Sequence, residues 1–228
     1  MTLDIRPALR PWGVETLQVY MVTDRALTAG RPLDEVVRAA VAGGAGCVQL
    51  REKHLSTRDF VAQARALRPL LAACHVPLVI NDRIDVALAC GADGVHLGQD
   101  DMPAEDARRL LPSTMFIGWS VETLEQVRQA EQLPVDYLGI SPVFATPTKT
   151  DTAPPWGLEG LRHARAGSRL PLVAIGGIHE HNAASVIAHG ADGVAVVRAL
   201  CAADDPRQAA SRLLGAVQAA CHGTPSSA

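Results

Sequence analysis

The chain lacks almost everything that would send it to a membrane, a nucleic acid or an oxidising compartment. No run of 18 apolar residues occurs, so no transmembrane helix is expected. Its 21 Lys and Arg nearly balance 24 Asp and Glu, for a formal net charge of −3. No general basic field exists for nucleic acid or lipid, and any bound anion must be met by local cations. Five cysteines, at 47, 74, 90, 201 and 221, are odd in number and form no C-x-x-C pair. Small reduced thiols are expected rather than disulfides or zinc ligands. Met1–Leu17 carries Asp4, Arg6, Arg10 and two prolines but no apolar core, so no signal peptide is expected and the protein should be cytoplasmic. A G-x-S-x-G nucleophile turn is missing, and no G-x-G-x-x-G turn follows the first apolar strand. No linker or charge block divides the 228 residues.

What the sequence does have is alternation. Short apolar strands are predicted at 17–22, 47–51, 77–81, 93–97, 115–119, 136–140, 171–175 and 192–197. Ala-rich helical patterns lie between and after them, at 33–42, 57–73, 83–90, 103–110, 122–131, 157–166, 180–189 and 206–221. Eight β-then-α units argue for a parallel sheet. A weak repeat sharpens the topology: GADGVHL at 91–97 echoes GADGVAV at 190–196, GAGCVQL at 44–50 is a looser copy, and VPLVI at 76–80 echoes LPLVA at 170–174. Period-two similarity over eight units fits a closed (β/α)8 TIM barrel better than an open doubly wound sheet. The expected organisation is an N-terminal extension over 1–16, a barrel over 17–221 and a tail over 222–228.

In such a barrel every strand C-terminus opens on one face, where the chemistry collects. Polar residues do gather at those ends: Gln49, Arg51, Glu52 and Lys53 after the second strand, then Asn81, Asp82 and Arg83 after the third. The fourth runs from His96 to Asp101, and the fifth ends at Trp119-Ser120. The sixth continues into SPVFATPTKTDTAPPWG, the seventh ends in Gly176-Gly177, and the eighth in Val197-Arg198. The opposite ends read as helix caps and short apolar turns. Gly176-Gly177 lets backbone N–H groups approach a phosphate, although tight turns also use such pairs. TPTKTD offers hydroxyls and Lys149 on a long rim loop, where a function is a better reading than a solvated turn. Arg51 and Lys53, two apart, face the same way from an extended end and form a donor stripe with Gln49; the bland reading is a solvated end paired with an acid such as Glu52. Asp82 and Asp101 come from neighbouring strand ends beside these cations. Two such carboxylates suit Mg2+, which completes its shell with water and phosphate oxygens. Asp100 is either a supporting residue or part of the helix start before Pro103. His96 lacks the Cys/His company of a zinc site.

Taken in order, VYMVTD, VQLREK, VINDR, GADGVHLGQDD, IGWS, DYLGISPVFATPTKTD, VAIGGI and GADGVAVV resemble the thiamine phosphate synthase family from about Val19 to Pro206. The resemblance implies a TIM barrel and an enzyme, a transferase. It would join 4-amino-5-hydroxymethyl-2-methylpyrimidine diphosphate to 4-methyl-5-(2-phosphoethyl)thiazole, giving thiamine phosphate and pyrophosphate by a dissociative, Mg2+-assisted substitution. By motif, Gln49, Leu50, Arg51, Glu52, Lys53 and Asn81 resemble the pyrimidine diphosphate site, and Ser120 the serine near the pyrimidine. Asp82 and Asp101 resemble the metal ligands. Thr146, Pro147, Thr148, Lys149, Gly177, Val197 and Arg198 resemble the groups holding thiazole phosphate and diphosphate. Catalytic roles fall to Arg51, Lys53, Lys149 and Ser120. The implied partners are the two small substrates, with no nucleic acid or membrane, and a homodimer is left open. Two departures stand out: Arg198 where the family usually has serine, and bulky Trp119. The rival readings are a thiazole tautomerase and a phosphate-ligand sensor; the complete set of cations and carboxylates argues against both.

Overall fold

The computed structural model describes residues 12–146 and 154–223. Eight strands close into a barrel in chain order: β1 (Val19–Val22), β2 (Cys47–Leu50), β3 (Leu78–Asn81), β4 (Gly94–Leu97), β5 (Phe116–Val121), β6 (Tyr137–Ile140), β7 (Leu172–Ile175) and β8 (Gly193–Val196). All pairs are parallel, and β8 closes on β1 through Tyr20↔Ala195. Around them run α1 (Leu33–Ala42), α2 (Thr57–Ala73), α3 (Ile84–Cys90), α4 (Ala104–Leu110), α5 (Leu124–Ala130), α6 (Gly157–Gly167), α7 (Ala183–Ala188), α8 (Arg198–Cys201) and α9 (Pro206–Gly223). The predicted helices fall where expected. The one not foreseen is α8, a single turn where the sequence suggested only the turn Val197-Arg198.

Local chemistry sets the helix ends. Ser56 caps α2 by accepting from Asp59 N, and Thr123 with Gln126 forms a capping box on α5. Gly91, at φ 64°, stops α3 in the left-handed conformation that a side chain would strain.

Because strand side chains alternate, the barrel has two cores. Outward residues such as Val48, Leu50, Val95, Leu97 and Ile117 pack against the helices. Inward, Leu17, Tyr20, Cys47, Val79, Phe116, Tyr137, Val173 and Ala195 fill the lower barrel. Glycines make room for those rings: a Cβ on Gly118 would sit 2.0 Å from Tyr137 Cζ. Below, residues 12–17 pass under the strands so closely that a Cβ on Gly193 would meet the Leu17 carbonyl at 1.9 Å.

The lower rim corrects one expectation. It carries Asp93, Asp136 and Asp192, whose carboxylates accept from Leu78 N, Ile117 N and Leu172 N. Apolar turns alone would leave those strand-end N–H groups without partners.

Candidate active site

The filled lower layer is the floor of a cavity of about 550 Å³ at the C-terminal ends of the strands, a size suited to small molecules. Its lining includes Gln49, Arg51, Lys53, Asn81, Asp82, Asp101, Ser120, Thr146, Gly177, Val197 and Arg198. Period two explains the first three: alternate residues of β2 and its extension face inward. The residues between them do not join the lining. Leu50 is fully buried against the helices, and Glu52 accepts from Arg25 at 3.4 Å. Any contact Leu50 makes with a ligand must come from its backbone. Pro147, Thr148 and Lys149 lie outside the described residues.

The acids hold the mouth. Asp82 sits at φ 62° in a three-residue turn closed by Arg83 N to the Asn81 carbonyl, 2.7 Å away. A non-glycine residue in that region carries strain of order 1–3 kcal/mol, which functional sites tolerate. Lys53 Nζ donates to Asp82 Oδ2 at 2.5 Å. Asp101 accepts from Gly98 N at 2.6 Å and faces Asp82. Burial first, and then the neighbouring Asp82, push the Asp101 carboxyl above its ordinary value. Two carboxylates that repel each other beside an open cavity form a hard-oxygen donor pair that fits Mg2+. Among the described residues no cluster of three or more His, Cys, Asp or Glu offers a fuller metal cage.

The floor is different: neutral, aromatic and hydrogen-bonded. His96 Nε2 lies 2.8 Å from Ser120 Oγ, and its Nδ1 lies 2.8 Å from Tyr137 Oη. Tyr137 Oη is 2.9 Å from Tyr20 Oη, to which Gln49 Nε2 donates at 2.9 Å. Burial lowers the His96 pKa to about 4, so the ring is neutral at pH 7. Sequence reasoning missed Tyr20 and Tyr137 and gave His96 no role. The available signal was that the chain's only two tyrosines both fall on strands, at inward positions.

The far wall is made by β7 and β8. Gly176 (φ 105°) and Gly177 (φ 65°) turn there, and a Cβ on Gly177 would meet Phe144 Cβ at 2.8 Å. Asn182 donates to the Gly177 carbonyl at 3.0 Å and pins the loop, while exposed His179, also not anticipated, joins the lining. Arg198 opens α8 at the rim, and neither Asp204 nor Asp205 pairs with it among the described residues. Trp119 packs outward against the helix layer.

A family model described as "Thiamine monophosphate synthase" matches residues 19–200 of this chain. The chain belongs to that family. Thiamine monophosphate synthases are transferases of thiamine biosynthesis, and the named relatives agree. A "Thiamine-phosphate synthase" of Albidiferax ferrireducens is 68% identical over 200 residues, covering 88% of this chain and 91% of the relative. That of Vibrio campbellii is 50% identical over 198 residues, covering 87% and 97%. Among solved structures, "Thiamine phosphate pyrophosphorylase from Pyrococcus furiosus" superposes with a TM-score of 0.83 at 40% identity, covering 91% of this chain and 98% of that one. No helix among the described residues is long and apolar enough to cross a membrane.

Proposed function

We propose that this cavity binds a 4-amino-5-hydroxymethylpyrimidine diphosphate and a thiazole phosphate together and joins them into thiamine phosphate. The observation that carries the reading is the division of the cavity: a charged mouth of Arg51, Lys53, Asp82 and Asp101 above a neutral floor of Gln49, Tyr137, His96 and Ser120. A diphosphate leaving group suits the mouth and an aminopyrimidine ring suits the floor. The glycine turn and Arg198 form the third region, for the thiazole phosphate.

In this reading the C–O bond between the pyrimidine methylene and the diphosphate breaks first. Its electron pair leaves with pyrophosphate, and the ring amine stabilises the cation left behind. The thiazole nitrogen then gives its lone pair to form the new C–N bond. Arg51 and Lys53 hold the negative charge that grows on the leaving oxygen, and Lys149 is assigned the same task. Gln49 and Ser120 orient the ring so that attack is in line. Asp82 and Asp101 would hold Mg2+, which when bound would supply further charge neutralisation to the diphosphate. A tautomerase would not need the charged mouth.

The test is pyrophosphate release with both substrates and Mg2+. Stoichiometric release that depends on both substrates and stops in excess chelator is expected. No release with both present would refute the reading.

A further inference from the structure

Five buried or half-buried groups form one unbroken hydrogen-bonded chain under the cavity: Gln49, Tyr20, Tyr137, His96 and Ser120, from strands β2, β1, β6, β4 and β5. Every link is 2.8 or 2.9 Å. Tyr20 and Tyr137 are at most 1% exposed, so water does not replace their partners. We propose that this chain is a relay of fixed polarity, which holds His96 as the Nε2–H tautomer and leaves the Ser120 hydroxyl hydrogen to donate into the cavity. The role in recognition rests on the reading of the floor as the pyrimidine seat; the polarity itself does not.

The polarity follows from counting protons. The Gln49 amide nitrogen can only donate, so Tyr20 Oη accepts from it. Tyr20 has one proton to give. Its neighbours are the Tyr137 oxygen at 2.9 Å and the Cys47 sulfur, which is the weaker acceptor, so the proton goes to Tyr137. Tyr137 in turn gives its own proton to His96 Nδ1. An imidazole that accepts at Nδ1 while neutral carries its hydrogen on Nε2, and Ser120 Oγ accepts that hydrogen. The serine proton is the one left over, and it points to whatever fills the cavity.

Ser120 is also held from its backbone side. Its carbonyl accepts from Gln99 Nε2 at 2.5 Å, and Gln99 Oε1 accepts from Gln126 Nε2 at 3.0 Å. Gln126 is the residue that closes the α5 capping box. The hydroxyl is thus fixed in place by one network and in direction by another. At the other end, the Gln49 side-chain oxygen Oε1 is left to accept, its Nε2 being used on Tyr20. A ring offering one acceptor nitrogen and one amine donor suits that pair. The neutral imidazole also puts no positive charge below a ring that becomes cationic.

Tyr20, Tyr137 and His96 are therefore positioning residues, and the tautomer is the readout. On ligand-free protein labelled with 15N-histidine, long-range 15N–1H spectra at neutral pH should show His96 with a bare Nδ1 and a protonated Nε2, the signal being assigned by its loss in His96→Gln. Tyr137→Phe should mix the tautomers and lower kcat by about tenfold, as for one lost buried hydrogen bond, with KM for the thiazole phosphate unchanged. His96→Gln, which can keep an amide donor towards Ser120, should retain more turnover than His96→Leu. A resting Nδ1–H tautomer at His96 overturns the relay, and the other histidine signals keeping their positions in His96→Gln show that the assigning variant is folded. A Tyr137→Phe protein with wild-type kcat and an unmoved His96 signal also overturns the relay. A wild-type protein that releases no pyrophosphate would refute the functional reading while leaving the spectrum to decide the polarity.

Discussion

The two rims of the barrel use the same residue, aspartate, to opposite ends. At the lower rim Asp93, Asp136 and Asp192 precede β4, β6 and β8, and each carboxylate ties down the N-terminal end of the preceding strand. Each also has its own arginine: Arg68 at 3.2 Å from Asp93, Arg165 at 3.0 Å from Asp192, and Arg108 facing Asp136. At the upper rim two carboxylates, Asp82 and Asp101, face each other and share Lys53. No ion pair engages the Arg51 or Arg198 guanidinium there among the described residues. Charge is matched pair by pair below, whereas above two acids share one lysine and, among the described residues, two guanidiniums have no ion pair. Matched charge holds strands together; unmatched charge waits for a ligand. The GAD repeat legible in the sequence therefore marks the structural rim and not the chemical one.

The sharpest way to break this contrast is to neutralise the upper acids. Asp82→Asn or Asp101→Asn should lower kcat by about a hundredfold or more, as for loss of charge stabilisation at the reacting group. The melting temperature should hold or rise, because the change removes like-charge repulsion. A large loss of stability with turnover intact would place these acids in the structural class.

The reverse holds below. Asp136 is 6% exposed and accepts from Ile117 N at 2.7 Å. Asp136→Ala strands that N–H in the interior and should cost about 2–3 kcal/mol. For a chain of this size that is a fall of roughly 5–10 °C in melting temperature, with kcat unchanged well below the transition. Loss of kcat in protein that remains folded would dissolve the division between rims.

Arg198 is the finer test of unmatched charge. If its guanidinium serves the thiazole phosphate, Arg198→Ser should raise KM for that substrate about tenfold, the equivalent of one charged hydrogen bond. KM for the pyrimidine diphosphate should stay within twofold. Equal effects on both substrates would remove Arg198 from the phosphate wall.

Much of the scaffold was legible because it is periodic. Every strand lies within two residues of its predicted limits, β5 running two residues further to Val121, just short of the span assigned to the next helix; α1 and α2 match residue for residue. The period of two also brought Gln49, Arg51 and Lys53 to one wall. It equally implied that Leu50 and Glu52 face elsewhere, which a motif taken as a block does not distinguish. The relay was not legible, because its links join five strands through barrel register. Its space depends on glycines such as Gly118 and Gly139, whose meaning appears only when Tyr137 and His96 lie across from them. The positive φ at Asp82 was also hidden, since nothing in NDR announces a strained turn.

The smallest expected effect is a pH dependence that separates the rims by their response to Mg2+. Burial raises the carboxyls of both Asp101 and Asp93 above the ordinary value of 3.8. A carboxyl with a raised folded pKa keeps its proton in the native state after the unfolded chain has released it. Stability therefore falls as pH rises from the unfolded value through the folded one, and then levels off. Both acids contribute to that fall in the presence of chelator. On the proposed reading a divalent cation would bind this upper pair, and would find one charge fewer there while Asp101 keeps its proton. The Mg2+-induced rise in melting temperature should be smallest at pH 4 and grow towards pH 7, as Asp101 loses its proton. Asp101→Asn should abolish the rise and part of the fall. Asp93→Asn, at the lower rim, should change the fall and leave the Mg2+ response intact. Melting curves with Mg2+ or chelator across that range decide the matter: a Mg2+ shift of constant size from pH 4 to 7, or one that survives Asp101→Asn, would put the cation somewhere other than this pair.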